Sequence, residues 1–237
     1  MSSPKPPRPT PKPIKTIRTI KTILIAAISL DGKISTNPNK NANFSSKKDK
    51  AFFRKEVQKA GVSILGSKTY KAAKSAGTGA SPSGLIPKVQ HIVMTRTPEK
   101  YTKTTASTTF TTSTTSPAIL TVDQNISPIN PKKQRRHHAT TKTPTTSPAP
   151  LTFTKDTPRK ILKNLEAQGH KTAIISGGSE IYTMFLKANL VDEMYLTITP
   201  HWFGKGIPLF QGNPNINFEL YKVKKLGENE ILLKYRR

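Results

Sequence analysis

The sequence predicts an α/β protein with a mostly parallel central sheet and an antiparallel C-terminal edge. Three observations carry this. Short, largely apolar runs at 23–28, 62–65 and 172–175 read as strands buried on both faces, which is the pattern of parallel pairing. Between them lie stretches in which apolar residues recur at helical spacing, so strand and helix alternate. The last segments, 218–223 and 230–235, alternate apolar and polar residues and read as a terminal antiparallel pair.

The chain has 237 residues, which suits one domain with appendages or two small domains. Residues 1–21 are basic and proline-rich and are expected to form a disordered tail. Within this lead-in, 14–23 place isoleucine at every third position, a period that fits neither helix nor strand, so an extended segment is expected. Residues 22–237 form the folded domain, interrupted at about 100–149. Residues 101–150 hold fifteen threonines, a single acid, Asp123, and a basic cluster at 132–138. Such a composition cannot bury a core and predicts a disordered surface insertion, in which only 119–122 is apolar enough to pair as a strand.

The formal net charge is +26, with 39 basic side chains against 13 acidic, so the surface attracts polyanions without sequence preference. Cysteine is absent, which excludes disulfides and thiol catalysis. The apolar run at 23–28 leads into Asp31-Gly32 instead of a small-residue cleavage site and is read as a strand, not a signal peptide. No stretch is long enough to span a membrane, so a cytoplasmic location is expected.

In chain order, a strand at 23–29 is followed by a turn-rich loop from 30 to 44. Ser46-Lys47-Lys48-Asp49 has capping-box spacing and opens a helix to about Lys59, with Phe52, Phe53, Val57 and Ala60 on one face. The strand at 62–65 stops at Gly66-Ser67-Lys68-Thr69, a turn and helix start. A glycine- and serine-rich loop covers 75–84, and a third strand runs from 89 to 95. After the insertion, order returns at 151–153. Thr157-Pro158 is a helix start, and that helix ends at Gly169. A strand at 193–200 and a glycine-rich loop at 202–210 precede the terminal pair.

The chain is organised around 171–185, K-T-A-I-I-S-G-G-S-E-I-Y-T-M-F. An apolar strand is broken by Ser176-Gly177-Gly178-Ser179, and Ile181, Tyr182 and Phe185 then repeat at helical spacing. A strand, a glycine turn and a helix N-terminus together make an anion site, because the free amides of the first helical turn point at a bound phosphate. The same segment also reads as a plain strand-to-helix connection. Two further strand ends, at Gly66–Thr69 and Thr95-Arg96, fall on the same sheet edge, where open α/β sheets bind ligands. Lys68 and Arg96 add positive charge suited to a phosphorylated cofactor.

Asp49 is the candidate acid. It lies on the apolar face of its helix, where burial raises its proton affinity and suits it to proton donation. It also reads as a helix cap that complements the dipole. Glu56 shares that face. Asp192 and Glu193 precede a strand and read as surface groups. The five histidines show no metal spacing, and no metal is expected.

Six segments, in order, resemble the dihydrofolate reductase-like superfamily: I-A-A-I-S-L-D-G-K-I at 25–34, D-K-A-F-F at 49–53, I-L-G-S-K-T-Y at 64–70, I-V-M-T-R at 92–96, I-S-G-G-S-E-I-Y at 175–182, and V-D-E-M-Y-L-T-I-T-P with G-K-G-I-P-L-F at 191–210. Overall the chain resembles most the RibD C-terminal reductase domain of riboflavin biosynthesis. The resemblance implies a three-layer dihydrofolate reductase-like fold and NADPH as cofactor. It implies cofactor contacts from Ala27, from Gly66, Ser67, Lys68 and Thr69, and from Thr95 and Arg96. The third turn would add Ser176, Gly177, Gly178, Ser179, Glu180 and Ile181.

The same resemblance implies substrate contacts from Ile25, Ala26, Phe53 and Tyr182, with Asp49 as catalytic acid and Thr197 supporting it. The substrate is a small molecule, and a homodimer is compatible with the resemblance. The S-L-D-G-K-I and G-K-G-I-P-L-F segments point to a pyrimidine ribotide, 5-amino-6-(5-phosphoribosylamino)uracil or a relative. Asp49, Phe53, Thr197 and Tyr182 resemble dihydrofolate reductase, yet the arginine that clamps the folate glutamate falls at Val89. The D-x-P segment usual in the riboflavin enzymes is absent from 71–84. Dihydrofolate reduction is therefore the alternative. A catalytically silent basic nucleic-acid binder, drawn to polyanions through tail and insertion, is the further one.

Overall fold

The computed structural model describes residues 19–37, 43–75, 85–101, 150–212 and 215–237. The rest of the basic tail, nearly all of the 75–84 loop and the insertion with its apolar patch at 119–122 lie outside the described residues.

The chain runs β1 (Lys21–Ile28), β2 (Lys33–Ser35), α1 (Lys47–Ala60), β3 (Val62–Gly66), α2 (Ser67–Ser75), β4 (Gln90–Met94) and β5 (Leu151–Thr154). It continues with α3 (Pro158–Ala167), β6 (Thr172–Gly177), α4 (Ser179–Lys187), β7 (Glu193–Ile198), β8 (Ile207–Pro208), β9 (Glu219–Lys225) and β10 (Ile231–Arg236). Eight strands form one sheet in the order β5-β4-β3-β6-β1-β7-β10-β9. Neighbours from β5 to β7 are parallel, and β10 is antiparallel to both β7 and β9. The expected parallel sheet with an antiparallel edge is thus the observed one.

Residues on a strand alternate between the two faces, so each face needs its own cover. Leu24, Ala26, Ile175 and Met94 belong to the cluster that holds Ile161, Leu162 and Leu165 of α3 and Ile181 and Phe185 of α4. Ile23, Ile25, Ile174 and Tyr195 cluster with Val57, Phe52 and Phe53 of α1. Helices on both sides of the sheet make the three layers. Phe185 is fully buried, and its truncation to alanine costs about 3–5 kcal/mol.

Three local expectations need correction. The first strand does not start at 23: Ile20 is already buried, and β1 starts at Lys21, within the expected lead-in, its amide donating to the Lys171 carbonyl at 2.9 Å. The loops at 30–44 and 202–210 are not plain loops, because β2 and β8 pair within them as a second small sheet. Asp31 fastens the two loops by accepting from the amides of Phe203 (3.1 Å) and Gly204 (2.9 Å). Asp192 and Glu193 are not simple surface groups. Asp192 accepts from the Thr22 amide at 2.7 Å, and Glu193 pairs with Lys21 at 2.5 Å, which ties β7 to β1.

Among the described residues no helix is long and apolar enough to cross a membrane.

Candidate active site

The parallel strands end on one side of the sheet in a cleft of about 1270 Å³. Its centre is the connection from β6 to α4. β6 does not break at Ser176 as expected; it runs through Gly177. Ser176 is passed over in the register with β3, where Ile64 faces Ile175 and Leu65 faces Gly177, and its hydroxyl bonds sideways, donating to the Ile64 carbonyl (3.2 Å) and meeting Ser63 Oγ at 2.7 Å. The chain then turns at Gly177, whose φ of +130° is open to glycine and strained for other residues. The Gly177–Gly178 peptide is cis. Gly178 is the N-cap of α4 and supplies no side-chain cap, so the first amides of this helix remain available to a ligand.

The glycine turn lies against the start of α2. A Cβ on Gly178 would stand 3.0 Å from Thr69 Oγ1, and one on Gly66 would stand 3.0 Å from Ile181 Cγ1. The two strand-to-helix connections, β3–α2 and β6–α4, therefore pack so closely that a side chain at either glycine would press on Thr69 or Ile181 of the other. Ser179 Oγ is buried there without a hydrogen-bond partner. A buried hydroxyl without a partner costs free energy, about 1–3 kcal/mol, which a bound acceptor such as phosphate would recover. The residues present therefore fit a dinucleotide phosphate: a glycine cradle, an uncapped helix end and a waiting donor. Lys68 is exposed at the rim. Arg96, expected to add free charge, pairs instead with Glu180 at 3.1 Å, with both side chains largely exposed.

Across the cleft, α1 brings Asp49 inward. Ser46 is the N-cap, its hydroxyl accepting from the Asp49 amide at 3.1 Å. The reciprocal half of a capping box is not made by Asp49. The Ser46 amide donates to Glu230 Oε1 at 2.7 Å, and Ser46 Oγ donates to Glu230 Oε2. Glu230 thus takes the role that capping-box spacing gave to Asp49, and Asp49's carboxyl is left to face the cleft. That carboxyl is hydrogen-bonded by Thr197 and Ser45. Burial pushes its pKa up and the Glu230 charge adds to the rise, while Thr197, Ser45 and Lys50 pull it down. Tyr182 is buried nearby and donates to the Ile25 carbonyl at 2.7 Å; burial chiefly, then the Asp49 charge, raises its pKa. Its hydroxyl is therefore a fixed wall of the site and not a proton source near neutrality.

The cleft gathers every sequence-predicted site residue except Thr197. The three turns border it, as do Ala27, Ile25, Ala26, Phe53 and Tyr182. Thr197 is 1% exposed and stands behind Asp49. Sequence reasoning missed two groups. Residues 154–158 border the cleft after β5, and the rule that ligands gather at strand ends would have found them had β5 been included. Ser63 and His91 border it from inside β3 and β4. Their signal was a polar residue in an otherwise apolar buried strand.

The fold is of the dihydrofolate reductase-like class. The RibD C-terminal domain model matches residues 21–232, and the chain belongs to that family of reductases. The bifunctional diaminohydroxyphosphoribosylaminopyrimidine deaminase/5-amino-6-(5-phosphoribosylamino)uracil reductase of Thermotoga maritima is 14% identical with a TM-score of 0.59, over 92% of this chain and 56% of that one. Dihydrofolate reductase from Enterococcus faecalis, complexed with NADP(H), is 16% identical with a TM-score of 0.50, over 93% of this chain and 98% of that one. The uncharacterized protein YwjB of Bacillus subtilis (strain 168) is 30% identical over 79 residues, which are 33% of this chain and 45% of that protein. The chain thus matches about half the length of two of these relatives, and the two structural likenesses show the fold.

Proposed function

We propose that this protein is an NADPH-dependent reductase of the riboflavin-biosynthesis type, acting in the cytoplasm on 5-amino-6-(5-phosphoribosylamino)uracil or a related pyrimidine ribotide. The observation that carries the reading is the pairing, across one cleft, of a glycine turn at an uncapped helix N-terminus with the buried Asp49. When bound, NADPH supplies a hydride to an electrophilic C=N or C=O carbon. The remaining work falls to the chain. Ser179, the α4 amides and the turn at Gly66–Thr69 hold the cofactor's phosphates. Ile25, Ala26, Phe53 and Tyr182 form the walls that orient the substrate and exclude water. Asp49, kept in place by Thr197, passes a proton through an ordered water to the substrate heteroatom.

Dihydrofolate is the second substrate reading, favoured by the Asp49–Thr197 pair with Phe53 one turn along α1. Against it, Val89 occupies the position the folate clamp needs. Val89 is 1% exposed and packs with Ile23, Ile25 and Val57 in the core, so it presents no cation to a glutamate tail. One assay decides: purified protein with NADPH, followed at 340 nm in parallel on the pyrimidine ribotide and on dihydrofolate. Oxidation with the ribotide is expected. Turnover of dihydrofolate alone would replace the riboflavin reading, and NADPH binding without turnover of either would leave a silent fold.

A further inference from the structure

We propose that Ser63 and His91 form a hydroxyl-recognising subsite on the floor of the cleft, taking the sugar or polyol chain of the substrate. The proposal rests on the reading of this cleft as a pyrimidine-ribotide site and says which part of the ligand lies where.

Ser63 on β3 and His91 on β4 are register partners, so their side chains leave the same face of the sheet from Cα atoms about 4.8 Å apart. Each is 3% exposed, and both border the cleft beside Phe53, Leu85 and Ile86. Polar side chains this deep are nearly always satisfied. His91 is only half satisfied. Its Nε2 lies 3.0 Å from the Ile86 carbonyl, and its Nδ1 is buried without a partner. A carbonyl can only accept, so Nε2 carries the proton. Burial holds the ring's pKa below the usual histidine range, so the imidazole is neutral near pH 7 and Nδ1 presents a bare lone pair.

Ser63 has the same polarity. Ser176 Oγ has one proton, and it points to the Ile64 carbonyl at 3.2 Å. Either hydroxyl can donate the short 2.7 Å contact between them; with the Ser176 proton on the Ile64 carbonyl, Ser63 donates it and its oxygen is left to accept. The bare His91 Nδ1, with the Ser63 oxygen as a second acceptor beside it, complements hydroxyl or N–H groups and disfavours carboxylate or phosphate. A ribose or ribityl chain supplies such hydroxyls, whereas the glutamate arm of folate ends in carboxylates. The terminal phosphate of a ribotide is left for the rim, where the exposed Arg54 borders the same cleft.

The test uses full-length protein and calorimetric titration with two unreactive probes, 6-(D-ribitylamino)uracil and 6-(pentylamino)uracil, which share ring and chain length and differ in hydroxyls. The ribityl probe is expected to bind about tenfold tighter. Ser63→Ala and His91→Leu should each remove most of that preference while leaving the pentyl probe and NADPH with unchanged dissociation constants. Equal affinity for the two probes, no binding of the ribityl probe, or a preference untouched by both variants would overturn the subsite. Should His91→Leu fail to fold, Ser63→Ala, which removes one oxygen, carries the test alone, with a thermal melt as its control. The two readings fail separately. A ribityl preference that depends on Ser63, without NADPH turnover of the ribotide, sinks the reductase reading and keeps the subsite. Turnover with no such preference does the reverse.

Discussion

Asp49 is held in an environment that favours its protonated form, and the consequence for stability has a definite sign. Its pKa is raised in the folded protein, by burial first, so the folded state binds the proton more tightly than the unfolded chain does. The resulting stability is fully present below the unfolded carboxylate pKa and is lost as pH rises through the folded value. Asp49→Asn removes that dependence. Its melting temperature should match the parent's near pH 4 and exceed it at pH 7 and above, as a pair of pH series by scanning calorimetry would show. Its turnover should fall by roughly 10²–10⁴-fold, the usual scale for a lost general acid, with NADPH affinity intact because the cofactor turns lie on other elements. A more stable and nearly inactive variant is a combination that a mere helix cap cannot produce, since a cap's removal lowers stability. Thr197→Val should slow the reaction in the same direction, and the double variant should lose less than the product of the two effects. Asp49 was legible in the sequence because acids are scarce and this one sits on an apolar helical face. Glu230, which caps the same helix through Ser46, was not: it comes from 184 residues away, and no local pattern connects the two.

At the scale of elements, the β6–α4 connection carries the cofactor reading and yields two separable tests. Gly178→Ala places a methyl group 3.0 Å from Thr69 Oγ1, so the Thr69 side chain must give way at the mouth of the glycine turn, where the cofactor phosphates would lie. NADPH affinity should drop about tenfold or more, roughly 1.4 kcal/mol, in a fluorescence titration. A folded variant with unaltered affinity removes this turn from the cofactor site. Ser179→Ala should separate binding from folding. It deletes a buried hydroxyl that has no partner in the free protein, so the melting temperature should stay level or rise while NADPH binds more weakly. A drop in stability with unaltered binding would mark Ser179 as structural. The strand-turn-helix order of this connection was readable from apolar run, glycines and helical spacing. The end of β6 was not, because glycine reads as a breaker while here the pairing with β3 skips Ser176 and resumes at Gly177. The β2–β8 pair was hidden for a different reason. Its strands are three and two residues long, too short for a period of two to show, and what joins them is the long-range clasp of Asp31 on Phe203 and Gly204.

At the scale of the whole molecule, the question is how a domain tolerates the long threonine-rich segment between β4 and β5. Its two ends are brought together by aromatic packing. Tyr101, just before it, stacks on Phe153, just after it, with ring centroids 4.4 Å apart, and Tyr70 of α2 meets Phe153 edge-on at 5.2 Å. Such offset and edge contacts add about 0.5–1.5 kcal/mol each beyond their buried area, so Tyr70, Tyr101 and Phe153 themselves hold the junction together. β4 and β5 are parallel, however, so the connection must cross the length of the sheet, which takes about a dozen residues or more. Replacing 102–149 with a Gly/Ser linker of roughly fifteen residues meets that requirement. The melting temperature and NADPH affinity should then stay nearly unchanged. Loss of folded protein would show that the segment contributes to the core. The same deletion weighs the polyanion-binding reading, because it removes six Lys or Arg residues and one acid, Asp123. Basic residues are not confined to tail and insertion. Lys47, Lys48, Lys50, Arg54, Lys55 and Lys59 all lie on α1, and Lys222, Lys224 and Lys225 are exposed on β9. Binding of a generic DNA duplex, measured from low to moderate salt, should therefore weaken without vanishing. Each lost phosphate contact flattens the slope of log K against log salt by about 0.9, so the deletion should reduce it by at most about 5. An unchanged slope would mean the segment touches no phosphate. Complete loss of DNA binding, with reductase activity retained, would place all polyanion affinity in the segment and none on the folded surface.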